Sequence, residues 1–126
     1  MERLAWICLA GAAGTGSRYL IGVWAAQRFG GSFPYGTLIV NLAGCFAIAA
    51  IMQAALTLDW PPTVRMAITA GFLGGMTTYS SFNYETMRMF EDGATPAAIV
   101  NAVVTIVGGL VAGGLGLLVA RQILGR

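Results

Sequence analysis

Apolar residues fall along this chain in four long blocks, separated by short polar or proline-rich breaks. The first block covers 4–29 and ends at "GGSFPYG", residues 30–36. The second covers 37–58, carries no charge, and ends at "DWPPT", residues 59–63, where neither proline continues a helix interior. The third covers 64–90 and ends at "EDGATP", residues 91–96. The fourth covers 97–124, with Thr95 read as the N-cap and Pro96 at the first helical position. Each block reaches the roughly 20 residues that a helix needs to cross a bilayer. The pattern predicts an all-α membrane protein, with one four-helix transmembrane domain over residues 1–126.

The third block is unlike the others. Its stretch "GGMTTYSSFNYET", residues 74–86, collects hydroxyls, an amide and a carboxylate where lipid would penalise them. Gly74-Gly75-Met76-Thr77-Thr78 reads as a helix interruption, because paired glycines weaken a helix and threonine side chains bond freed carbonyls. Such a break is tolerated at membrane depth only inside protein or along an aqueous path, and its carbonyls suit a small cation. A continuous helix, with the glycines serving only close packing, stays open as the alternative. Beyond the break, Tyr79 and Phe82 share a helix face, and Thr78, Ser81 and Glu85 form a polar stripe beside them. Weak donors alternating with positive aromatic ring edges suit a small anion.

Composition sharpens the choice of solvent. The chain is 57% hydrophobic and 10% charged, whereas soluble domains carry about a quarter charged residues. A net charge of +2, from seven arginines against five acids, is too weak to point to nucleic acid. With four spans, Arg3, Arg65, Arg121 and Arg126 mark one side and Arg28 and Arg88 the other. So slight a bias suits a chain that inserts both ways round, and equally a small protein with one orientation. The absence of histidine removes His-based zinc sites and Ser-His-Asp catalysis, and no nucleophile–base pair suggests an enzyme. Cys8 and Cys45 sit in apolar runs and read as small buried hydrophobes rather than a disulfide.

Few strongly polar groups lie at depth: Arg18, Asn41, Gln53, Glu85 and Asn101. A charge at the centre of a span costs about 2.5–3.5 kcal/mol on insertion scales, so such groups turn toward protein or water. Asn41 either donates to a permeating species or bonds a neighbouring backbone carbonyl. Gln53 reads as interfacial, and Arg18 as lining an aqueous vestibule or packing against carbonyls. Gly109 and Gly113, like Gly11 and Gly14, read as helix-contact positions. Four short helices enclose little space, so a pathway would run between chains.

"GTGSRY", "PYGTLIVNLAG" and "GFLGGMTTYSSFNYE" together resemble the small bacterial fluoride channels of the Fluc or CrcB family. The resemblance implies an antiparallel, dual-topology homodimer in the bacterial inner membrane. It would export cytoplasmic fluoride passively through two pores at the subunit interface and confer fluoride resistance. It also implies a structural Na⁺ at the dimer centre, held by backbone carbonyls matching Gly74 and Thr77 of both chains. The family's pore phenylalanines match Tyr79 and Phe82, and its pore asparagine matches Asn41. The remaining pore groups match Ser80, Ser81, Glu85, Thr105 and Arg18. Tyr79, Asn83 and Asn101 depart from the family pattern. Two rival readings share the layout: a small proton-coupled multidrug-type exporter built around Glu85, and a non-transporting assembly factor.

Overall fold

A computed structural model describes residues 1–125; Arg126, counted above for orientation, lies outside the described residues. The described residues form helices and no strand. Helix α1 (Glu2–Phe29) ends at Gly30, whose φ of 81° only glycine adopts easily. A short loop leads into α2 (Tyr35–Thr57). The third apolar block is not one helix. It comprises α3 (Pro62–Met66), a π-helical stretch (Ala67–Leu73), α4 (Gly74–Met76), two extended threonines, and then α5 (Tyr79–Glu91). Helix α6 (Thr95–Leu124) closes the chain.

Two helices, α2 and α6, are long and apolar enough to cross a membrane. They pack on each other along most of their length. Side chains are absent where they approach most closely: a Cβ at Gly116 would collide with the Phe46 carbonyl, and one at Gly109 would lie 3.3 Å from Cys45 Sγ. The GxxxG pair and Gly116 therefore bring α6 onto α2, as expected where no hydrophobic effect drives helices together. Helix α1 packs chiefly on the π-helical stretch, and also on α2 and α4. A Cβ at Gly75 would lie 2.5 Å from the Gly11 carbonyl, and one at Gly71 would lie 2.8 Å from that of Ile7. Between the two layers sits a small core of Val40, Leu73 and Met76, with Ile21, Ala47, Ile51 and Phe72 against it. Outward, α6 presents Ile99, Val103, Ile106 and Leu110 at helical spacing. An uncovered apolar row of that kind is what an apolar solvent or a second chain requires.

Three expectations need correction. The interruption expected over residues 74–78 is present and falls on its last two residues, Thr77 and Thr78; what needs correction is the part given to the glycines, since Gly74 and Gly75 remain helical and Gly75 serves the contact with α1. The N-cap of α6 is Ala94, with Thr95 already helical and Pro96 in the first turn. Cys8 is exposed on α1 and Cys45 half-buried, so only Cys45 resembles the small buried hydrophobe expected; both thiols are free.

Candidate functional site

The site is built around the two extended residues. Thr77 (φ −82°, ψ 155°) keeps its amide on the Leu73 carbonyl at 2.9 Å, and its hydroxyl donates to the same oxygen at 2.9 Å. Thr78 (φ −153°, ψ 115°) leaves the helix altogether. In an unbroken helix its amide would bond the carbonyl of Gly74, four residues back. It bonds Asn41 Oδ1 at 2.7 Å instead, while Asn41 Nδ2 donates to the Thr78 carbonyl at 2.9 Å. The Gly74 carbonyl thereby loses its helical partner. The chain then restarts as α5 with Thr78 as N-cap, its Oγ1 accepting from the Ser81 amide at 3.1 Å. The same hydroxyl donates to Ser81 Oγ at 3.1 Å and lies 3.2 Å from Ser80 Oγ.

One turn before Asn41 on α2, the Thr37 hydroxyl donates to Glu85 Oε1 at 2.8 Å. The carboxylate is thus fixed by one oxygen. Its other oxygen, Oε2, is buried and has no hydrogen-bond partner among the described residues. Thr105 Oγ1 on α6 is in the same condition. By contrast, Ser17, Thr69 and Thr86 within helices, and Thr77 just past the end of α4, donate to the carbonyl four residues back. That back-bond is the default for a hydroxyl in an apolar helix. Thr37 and Thr105 do not use it, and both line cavities.

Three cavities follow one another along these residues. The first opens at the loop end of the molecule, among Tyr35, Thr37, Glu85 and Arg88. Arg88 is paired there with Glu91 and Asp92. It shares Gly22, Gly36 and Thr37 with a second cavity lined by Thr15, Arg18, Thr78 and Ser81. That cavity in turn shares Thr78 with a third, lined by Asn41, Gly74, Thr77, Tyr79, Phe82 and Thr105. The Tyr79 and Phe82 rings stand 5.6 Å apart at 58°, Phe82 buried and Tyr79 76% exposed.

Of the residues expected at the site, Asn41, Gly74, Thr77, Tyr79, Phe82 and Thr105 therefore come together in one cavity. Arg18 and Ser81 come together in its neighbour. Glu85 lies in the outermost, and Ser80 reaches the group only through the Thr78 hydroxyl. Asn101 is buried away from the cavities and donates to Thr86 Oγ1 at 2.9 Å, tying α6 to α5. Gln53 bonds the Thr57 hydroxyl near the end of α2.

The family described as CrcB-like protein, Camphor Resistance (CrcB), matches residues 5–117. The chain belongs to this family. It is 49% identical over 125 residues to a protein of Sorangium cellulosum (strain So ce56), covering 98% of each chain. It is 50% identical over 124 residues to one of Citrifermentans bemidjiense, covering 98% of this chain and all of the relative. A third relative, from Anaeromyxobacter sp. (strain K), is 48% identical over 126 residues. All three carry the name fluoride-specific ion channel FluC, that of a channel and not of an enzyme. In this CrcB member, Thr37 and Thr15 are cavity residues that reading the sequence missed. Thr37 could have been found: it lies four residues before Asn41 on a helix, hence on the same face.

Proposed function

We propose that the chain conducts fluoride passively across the bacterial inner membrane, as a channel with four spans per subunit. The observation that carries this is the succession of cavities, joined through shared lining residues and furnished with hydroxyls, an amide and Arg18. The names of the relatives point the same way. Fluoride holds its water tightly, so a pore must replace that shell with close donors without holding the ion too long. Arg18 would draw the anion into the second cavity. Thr78 and Ser81 hydroxyls would take over part of its shell, and the remaining N–H of Asn41 would receive it in the third. There the ring edges of Tyr79 and Phe82 and the unpartnered Thr105 hydroxyl complete the surroundings.

The pore would be finished by a second copy in antiparallel orientation. Exposed Tyr79, the uncovered α6 row and the orphaned Thr105 hydroxyl support an interface at this face. The carbonyls of Gly74 and Thr77, at a helix end without carboxylates, fit a structural Na⁺. Mg²⁺ or Ca²⁺ would normally bring acidic ligands, and among the described residues no three His, Cys, Asp or Glu side chains cluster. When bound, the ion supplies positive charge that offsets the cost of an anion at depth.

The test is fluoride efflux from liposomes holding the purified protein, with and without a proton gradient. Efflux that ignores the proton gradient is expected. Efflux that requires it would favour an exporter working through Glu85, whose second oxygen lacks a partner. Cysteine labelling of both termini from each side of intact cells tests the antiparallel arrangement; labelling from one side alone would exclude it.

A further inference from the structure

We infer that Asn41 is the latch of the broken helix, a positioning residue that acts through the Thr78 backbone as well as through its own free N–H. Both edges of its carboxamide are engaged with a single residue: Oδ1 accepts the Thr78 amide at 2.7 Å, and Nδ2 donates to the Thr78 carbonyl at 2.9 Å. Only an extended residue turns its N–H and C=O to the same side, as in a hydrogen-bonded pair of an antiparallel sheet. In a helix the two point opposite ways along the axis. Asn41 therefore does for Thr78 what a neighbouring strand would do, and its pairing selects the extended conformation over the helical one.

The alternative conformation is available to the sequence. Residues 74–76 are helical and α5 resumes at Tyr79, so a helical Thr78 would return its amide to the Gly74 carbonyl and join the two pieces. Removing the latch would close that carbonyl, turn Thr77, and withdraw the Thr78 hydroxyl from Ser80 and Ser81. It would also move the wall between chambers, because Thr78 lines both the Arg18 cavity and the aromatic one. One side chain of α2 thus sets the carbonyls proposed for the cation and the hydroxyls proposed for the anion. The permeation part of this inference rests on the proposed reading of the cavities as the anion's route; the latch itself does not.

Two variants separate the latch from simple donation. Asn41→Leu keeps the bulk and removes both partners. Asn41→Asp keeps the acceptor for the Thr78 amide but sets an oxygen against the Thr78 carbonyl, until acid protonates the carboxyl and restores a donor–acceptor pair. It never restores the second N–H that an anion would use. The readouts are Thr78 amide exchange, corrected for pH, the ¹³C shift of the Thr78 carbonyl, and fluoride efflux above that of protein-free liposomes. In Asn41→Leu the amide should exchange on the order of tenfold faster, the weight of one buried hydrogen bond. In Asn41→Asp the carbonyl shift should return toward the wild-type value as pH falls. Efflux should rise over the same range by on the order of tenfold from its neutral-pH level. Unchanged exchange in Asn41→Leu would overturn the latch. A carbonyl that recovers while efflux does not would overturn its role in permeation. Should the wild type pass no fluoride, the channel reading fails, and exchange and carbonyl shift alone decide the latch.

Discussion

The α2–α6 pair and the contact between α1 and residues 67–76 both rest on glycine, yet they put the closeness to different use. Where α6 meets α2, Gly109 and Gly116 allow backbone approach and both helices run unbroken. Where α1 meets the third block, Gly11, Gly71 and Gly75 allow a similar approach, but the partner is π-helical and then breaks. π-Helical turns inside helices recur at functional sites, where the usual hydrogen-bond ladder is being rearranged. In the first pair neither helix is interrupted, so no carbonyl is released mid-span. In the second, the carbonyl of Gly74 is released because Asn41 has taken its amide partner. Packing holds the α2–α6 pair together; at the break, packing serves to support backbone groups that no regular helix would leave open.

That contrast is most sharply broken at the glycines. Gly75→Val puts a side chain against the Gly11 carbonyl, and Gly116→Val puts one against that of Phe46. Overpacking of this kind costs about 1–3 kcal/mol, and both variants should melt earlier in detergent. Only Gly75→Val should also abolish fluoride efflux from the protein that remains folded, because it displaces the segment that carries the break. Gly114→Ala, with open space around the new methyl, should change neither. Equal loss of efflux per folded protein in the Gly75 and Gly116 variants would erase the distinction.

Asn41→Asp comes next in size. At neutral pH it sets a carboxylate oxygen against the Thr78 carbonyl, so efflux should fall by on the order of tenfold or more. Wild-type efflux from a folded, dimeric variant would contradict the roles given to Asn41 in permeation.

The all-helical fold was legible, and most plainly the second and fourth blocks, because about 20 apolar residues in a row have few other uses. A helix interruption was legible too, from Gly-Gly followed by Thr-Thr, and it falls within that run, but its cause was not legible. The glycines looked like the weak point, whereas the deciding bonds come from Asn41, 37 residues away. Hydroxyls were harder still. Thr86 and Thr105 both sit in helices; one donates to the Phe82 carbonyl and receives Asn101, the other has no partner. Nothing local in the sequence separates them, because the difference lies in which neighbour each side chain faces. Asn101 stood out in the sequence only as a polar group at depth and a departure from the family pattern; its use as a tie between α5 and α6 depends on Thr86, a neighbour the sequence does not reveal.

Those hydroxyls give the smallest expected effect. Thr105→Val removes a group with no hydrogen-bond partner among the described residues, so the melting temperature should hold while efflux drops a few-fold. Thr69→Val removes a hydroxyl that only bonds back to the Arg65 carbonyl. Its efflux should match the wild type, with stability changed by no more than about 1 kcal/mol. Reversal of the two results would mean that back-bonding does not sort structural from pore hydroxyls.

The most direct measurement uses liposomes loaded with both fluoride and potassium chloride, with each anion followed by its own electrode. Passive electrodiffusion moves charge, so fluoride should stay inside until valinomycin lets potassium leave with it. Fluoride should then run out rapidly while chloride is retained. Chloride leaving alongside fluoride, or fluoride leaving equally fast without valinomycin, would contradict a fluoride-selective passive pore.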